Sequence, residues 1–151
     1  MHPVEEKARL TGRWQRLNIE RADGVYLPQE QAEVITKVED FKQKNTSFQE
    51  TIFVFPHEGQ YFFLTNRPSP TRIVPVAYAA IRPDYQEEVI RDLERNKPRY
   101  CIDIEDAQII PRAKGDIPNE SFLNLIYKYM IENYQIIRQY NRTLILIRKS
   151  R

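Results

Sequence analysis

The apolar residues of this chain follow two different spacings that predict its helices and strands. Between Pro28 and Asn45 they recur at helical spacing, and Pro28 suits the first turn of a helix because it has no N–H to leave unsatisfied. The runs IFVF (52–55) and RYCIDIED (99–106) instead read as strands, apolar on both alternating faces. Such runs are typical of strands covered by helices on both sides, and 52–55 is our candidate for the central strand.

Two further helices and a hairpin complete the pattern. The second helix has Asp84 as its cap and a buried face of Tyr85, Val89, Ile90 and Leu93. The third has Asn119 as its cap and a buried stripe of Phe122, Leu123, Ile126, Tyr127, Met130 and Ile131. The final stretch YQIIRQYNRTLILIRK predicts two strands joined at Asn141 and Arg142, since asparagine tolerates positive φ.

This alternation predicts the α/β class: a layered, Rossmann-like domain with a mainly parallel sheet, a C-terminal antiparallel hairpin and helices on both faces. The 151 residues suit one hydrophobic core. Residues 1–22 are polar and mixed in charge, which indicates a loosely attached leader or connector before a single domain at 23–151.

Composition and charge argue against several classes of function. The 23 basic and 21 acidic residues nearly cancel, so the chain lacks the basic footprint of a nucleic-acid-binding protein. No apolar stretch has the roughly 18 to 20 residues that span a bilayer. Cys101 is the single cysteine, which excludes an intrachain disulfide and indicates an inert core thiol. The four glycines form neither GxGxxG nor GKS/GKT, so we expect no nucleotide cofactor.

Histidines and carboxylates offer little for catalysis or metal binding. His57 follows Pro56 at the end of the first predicted buried strand, where α/β folds place ligands, but we favour an exposed or structural role. Asp103 and Glu105 lie on the same side of their strand, which suits a cation or acid–base chemistry. We favour a strand that leaves the core into water, and we assign no catalytic or metal-binding residue.

The stretch IFVFPHEGQYFFLTNRPSPTR, residues 52–72, concentrates the groups best suited to a ligand. The candidate ligand-binding residues are His57, Tyr61, Asn66, Arg67, Thr71 and Arg72. Arginine forks suit phosphate or carboxylate, and aromatic faces suit sugar rings. The alternative is structural: the aromatic residues form one turn of helix, Arg67 caps carbonyls at its end, and the prolines stiffen the loop.

The order of RADGVYLP, a helix, the 52–72 stretch, a helix, KPRYCIDIED, and a last helix before a hairpin resembles a known family. Over about residues 20–149 it is similar to the C-terminal soluble domain of polytopic GT-C membrane glycosyltransferases. These are relatives of dolichyl-phosphate-mannose protein mannosyltransferases and bacterial aminoarabinose transferases. The 52–72 stretch is the most specific part of the resemblance.

The resemblance implies a domain on the extracytoplasmic side of a membrane, periplasmic in a bacterium, that follows the last transmembrane helix. Such enzymes transfer a sugar from a polyprenyl-phosphate carrier, and their catalytic acidic residues lie in the membrane portion. The partners implied are that transmembrane portion and a lipid-linked sugar or its acceptor. No catalytic residue carries over, and we expect this chain to be inactive alone.

Two other functions stay open. One is a free-standing module that binds a phosphorylated or sugar ligand through residues 57–72. The other is a small metal-assisted hydrolase that uses His57 with Asp103 and Glu105.

Overall fold

A computed structural model describes residues 12–56, 60–104 and 123–150. The strands are β1 (Trp14–Arg16), β2 (Tyr26–Pro28), β3 (Ile52–Phe55), β4 (Tyr100–Ile104), β5 (Tyr134–Tyr140) and β6 (Thr143–Arg148). The α-helices are α1 (Gln29–Asn45), α2 (Gln60–Thr65), α3 (Pro83–Asn96) and α4 (Asn124–Asn133). Short 3-10 helices cover Glu20–Ala22 and Val76–Ile81. No helix within the described ranges is both long and apolar enough to cross a membrane.

Four strands form the main sheet in the order β3-β4-β6-β5. Only β3 and β4 are parallel, whereas β6 is antiparallel to both β4 and β5. The sheet is therefore mixed, the prediction of a mainly parallel sheet is wrong, and Rossmann-like layering is not confirmed. The predicted C-terminal hairpin is present, with Asn141 at φ 53°, but it supplies half of the sheet. A strand buried on both faces has the same apolar pattern in either direction, which is why the sequence did not reveal that β6 lies antiparallel beside β4.

Strand β3 lies at the edge of the sheet and not at its centre, contrary to our expectation. The chain after α2 covers its open edge. The Ile52 N–H donates to the Pro68 carbonyl at 3.4 Å, and the Ala77 N–H donates to the Pro56 carbonyl at 3.0 Å. All four residues of β3 are buried as a result. A covered edge strand has the composition of a central one, since both exclude water from their backbone.

Helices pack on both faces of the sheet, as predicted. On one face Ile52, Val54 and Ile102 share a core with α1, which contributes Ala32, Ile35 and Val38. On the other face Phe53, Phe55 and Cys101 share a core with Val89 and Leu93 of α3 and with Ile126 and Met130 of α4. The helical faces predicted from spacing are confirmed, except that Ile131 is exposed. Asn119 and Phe122 lie outside the described residues.

The segment before α1 is bound to the core more firmly than we expected. Strands β1 and β2 form an antiparallel pair, and the chain between them buries Leu17 and Ala22 against the α1 face. Leu17 and Ala22 therefore belong to the core, although all three residues of β1 are exposed. The division at residue 22 stays a prediction.

Candidate functional site

The chain from β3 to Arg72 runs to opposite ends of the sheet. Helix α2 confirms the predicted helical turn, and its Tyr61 lines a cleft with Ile104, the last residue of β4. Pro68 then lies beside Ile52, the first residue of β3. We call these the carboxyl end and the amino end of the sheet, after the direction of β3 and β4. The candidate ligand residues therefore do not converge on one site.

Arg67 is a structural residue at the amino end. Its side chain is buried, with Nε donating to Thr46 Oγ1 at 3.2 Å and Nη2 donating to the Thr46 carbonyl at 3.1 Å. Thr46 is the C-terminal cap of α1, where a positive charge is favourable because unpaired carbonyls face outward. The guanidinium also stacks 4.6 Å from the centre of the Phe48 ring. Arg67 thus caps α1, a different helix from the aromatic turn that the sequence suggested.

Thr71 and Arg72 are held by neighbouring groups. The Thr71 hydroxyl is buried and donates to the Ile73 carbonyl at 3.2 Å. Arg72 is exposed and forms a two-point ion pair with Glu88 of α3 at 2.5 and 2.8 Å, and its backbone N–H donates to Asp92 Oδ2 at 3.1 Å. The bonded guanidinium holds the pKa of the Glu88 carboxyl below its usual range. These contacts tie the segment to α3.

Asn66 and His57 complete the predicted set. Asn66 is exposed with φ 49°, and it lines a cleft of about 360 Å³ beside the C-terminal half of α1. His57 lies outside the described residues. A ligand role for these six residues stays a prediction, although Tyr61 is separated from Arg67 and Arg72 by the length of β3.

A buried lysine that the sequence did not single out lies beneath Arg67. Lys42 is 1% exposed, and its Nζ is 3.6 Å from Glu39 Oε2, with no hydrogen-bond acceptor for that amine within the described residues. The Lys42 pKa is lowered to about 8, chiefly by burial and also by the Arg67 charge, while Glu39 opposes the shift. Its position, seven residues after Ile35 on the buried stripe of α1, was the available signal.

Asp103 is fully buried, so our expectation of a strand leaving into water is wrong at this position. It lines a cavity of about 250 Å³ together with Met130, Tyr134 and Leu144. Glu105 lies outside the described residues. Within the described ranges, no three His, Cys, Asp or Glu side chains are grouped to hold a metal ion. Cys101 is buried, as predicted.

A larger cleft, of about 490 Å³, opens at the carboxyl end. Its lining residues are Glu30, Gln31, Val34, Ile35, Tyr61, Ile104, Asn141, Arg142 and Thr143. The first turns of α1 form one wall and the β5–β6 turn forms another, joined where Asn141 Nδ2 donates to Glu30 Oε1 at 2.5 Å. Sequence reasoning missed these polar residues because they belong to elements 111 positions apart in the chain.

A polar cluster closes the amino end of the sheet at Arg148, the last residue of β6. Arg148 donates to the Tyr129 hydroxyl at 3.0 Å and to Glu94 Oε1 at 3.1 Å. The Tyr129 hydroxyl donates to the same Glu94 oxygen at 2.6 Å, and the Tyr134 hydroxyl donates to the Pro98 carbonyl at 2.8 Å. Burial, helped by the bond to Glu94, raises the pKa of Tyr129 to about 12.

Comparison with known proteins finds a structural likeness. No family model matches the sequence. No curated protein matches it either. The fold is similar to a crystal structure of the C-terminal globular domain of an oligosaccharyltransferase from Archaeoglobus fulgidus, with a TM-score of 0.48 and 12% sequence identity. The match covers 82% of this chain and 99% of that one. A likeness of this degree does not establish a shared family.

Proposed function

We propose that this chain is a non-catalytic, extracytoplasmic domain of a membrane glycosyltransferase that transfers a sugar from a polyprenyl-phosphate carrier. The observation that carries the proposal is the ordered sequence resemblance over residues 20–149, strongest at 52–72. In this role the domain assists access of the acceptor or of the lipid-linked donor, and its partner is the transmembrane portion of the same protein.

The structure explains why the 52–72 segment is distinctive without calling for catalysis there. Arg67 caps α1, Thr71 is bonded within its own loop, and the backbone at Pro68 covers the edge of β3. These roles define a fold, and a fold-defining segment is the part of a domain by which relatives are recognised. The sugar transfer itself is assigned to the membrane portion.

The native reading frame provides the first test. We expect several hydrophobic segments of about 20 residues upstream of this domain, since that length spans a bilayer. A reporter enzyme active only outside the cytoplasm, fused after Arg151, should be active. A native frame without upstream hydrophobic segments would overturn the proposal.

A second test concerns the division of labour. Full-length protein carrying Arg67→Ala should keep the chemical step but accumulate to a lower amount in the membrane, because the substitution destabilises the domain and touches no reacting group. A variant present at normal amount that keeps its KM for donor and acceptor but loses kcat would place chemistry in this domain and contradict the proposal.

A further inference from the structure

The carboxyl-end cleft has the place and size of a ligand site. In parallel α/β sheets, ligands bind outside the carboxyl ends of the strands, and β3 and β4 are the parallel pair of this mixed sheet. Small-molecule sites have volumes of about 300 to 1,000 Å³. The cleft of about 490 Å³ lies beyond Ile104 of β4, between the start of α1 and the β5–β6 turn. Its position is fixed by elements of the fold on both sides.

Two polar side chains of the cleft are not bonded to any other residue that the structure describes. Within the described residues, neither the Arg142 guanidinium nor the Gln31 amide has a hydrogen bond or an ion pair. Glu30 and Asn141, in contrast, are bonded to each other across the cleft wall. That bond restrains the turn that carries Arg142, so the backbone that bears this guanidinium is held in place.

The lining matches the two kinds of surface on a sugar. Val34, Ile35 and Ile104 give an apolar side that suits the C–H face of a ring. The amides of Gln31 and Asn141 provide donors and acceptors for neighbouring hydroxyl groups. Arg142 adds a planar fork with fixed geometry, which suits two oxygens of one phosphate or carboxylate. The positive end of the α1 dipole lies on the same side.

We propose that this cleft binds a sugar ring that carries one phosphate or carboxylate, with Arg142 on the anionic group and Gln31 on the ring hydroxyls. The Glu30 carboxylate opposite makes a second anionic group unfavourable, because like charges repel at short range. The inference rests on the cleft and is independent of the proposed membrane role, so a native frame without membrane segments would leave it intact.

The probes are glucose 1-phosphate, glucuronate, glucose and inorganic phosphate, each titrated into the protein and followed by amide NMR. We expect one or both anionic sugars to bind with a Kd of about 1 mM or tighter and to shift amides of residues 30–35 and 141–143. Preference for glucose 1-phosphate identifies a phosphate ligand, and preference for glucuronate a carboxylate ligand.

Arg142→Ala should weaken binding about tenfold or more, the range expected for loss of charge-assisted hydrogen bonds. Gln31→Ala should weaken it by a smaller factor. Arg91→Ala is the matched control, since Arg91 is an exposed arginine on α3, across the sheet from the cleft. It should leave the affinity unchanged.

Four results would overturn the proposal. They are an affinity for glucose equal to that for the tighter-binding anionic sugar, an affinity for inorganic phosphate equal to that for the same sugar, unchanged binding in Arg142→Ala, and no amide shift at about 10 mM of either anionic sugar. Both substitutions lie at exposed positions, so the amide spectrum of each variant verifies its fold.

Discussion

The two ends of strand β6 place the same residue type in opposite situations. At the amino end of the sheet Arg148 is bonded to Tyr129 and Glu94, whereas at the carboxyl end Arg142 extends from an open turn. Strand β6, which begins directly after Arg142 and ends at Arg148, spans six residues. An arginine bonded on several sides fixes structure, and one without such bonds is available to a ligand.

The contrast extends across the whole sheet. At the amino end Arg67 bonds the Thr46 carbonyl, Asn96 Nδ2 donates to the Pro70 carbonyl at 2.6 Å, and Arg148 joins α3 to α4. Each bond satisfies a group that is costly to leave unpaired away from water. At the carboxyl end, by contrast, Gln31 and Arg142 border a cleft. Stability should therefore depend on the amino end, and ligand binding on the carboxyl end.

The largest expected effect is at Arg148. Replacement by Ala removes the cation shared by Tyr129 and Glu94, and we expect the free energy of unfolding to fall by about 2 kcal/mol, since Glu94 is partly exposed and screened by solvent. Arg142→Ala should change it by less than about 0.5 kcal/mol. Urea denaturation of both variants measures the difference. Equal urea midpoints for the two variants would contradict the expected difference between the two ends of the sheet.

Arg67 and Arg72 lie in one loop and allow the same comparison between a buried arginine and an exposed one. Arg67→Ala should cost about 1 to 2 kcal/mol through loss of the α1 cap, while Arg72→Ala should cost less than about 0.5 kcal/mol because its ion pair is exposed. Thermal unfolding of the two variants provides the test. A larger loss in Arg72→Ala would show that the ion pair with α3, and not the cap, holds this loop.

Lys42 makes the amino end sensitive to pH. Its pKa is 10.5 in an unconstrained chain and about 8 when folded, so the unfolded chain binds more protons between these values. Stability from this group should rise from about pH 8 to 10.5. Lys42→Met should remove that rise. It should also increase the free energy of unfolding at pH 7 by about 1 kcal/mol, because a buried charge is replaced by an apolar side chain of similar length.

The Lys42 prediction has a clear control. Lys37→Met changes an exposed lysine of the same helix and should leave the slope of stability against pH as it is in the unmodified protein. If stability still rises fully with pH in Lys42→Met, the rise is caused by another titratable group.

The smallest effect concerns Tyr129 at high pH. Its folded pKa of about 12 exceeds the ordinary value of 10.0, so the folded chain retains the proton longer. The stability gained from this hydroxyl is complete below about pH 10 and falls as pH rises toward 12. Tyr129→Phe should flatten this fall and cost about 1 kcal/mol near neutrality. Ultraviolet absorbance against pH, in the native protein and the variant, follows the phenolate directly. A Tyr129 transition near pH 10 would contradict the burial argument.

Local patterns predicted the elements well. The span of α1, the helical turn after Pro56, the buried face of α3 and the hairpin at Asn141 each depend on neighbours a few residues apart, and all four are present. The mixed sheet, the edge position of β3 and the burial of Asp103 were not predicted. Each depends on which distant segment covers a strand, and apolar composition does not encode its partner.

The site was the least predictable part. Sequence reasoning placed its candidates together in residues 57–72 because they are adjacent in the chain. The fold sends Tyr61 to the carboxyl end and Arg67 to the amino end, since α2 runs back along β3. Arg142 and Gln31 carry no motif and come together only through the hairpin and the start of α1.

By itself the sequence determined the α/β class, the longer helices and the strands of the main sheet, and a segment distinctive enough to resemble a family. These follow from short-range spacing and turn residues, which act between near neighbours. The predicted cap at Asp84 is wrong, because α3 begins at Pro83 and its N-cap is Arg82. Only the tertiary structure decided strand direction and order, which arginines became structural, and where an open polar cleft remained. Those outcomes depend on contacts between distant segments, because burial and hydrogen-bond partners are fixed when the elements pack.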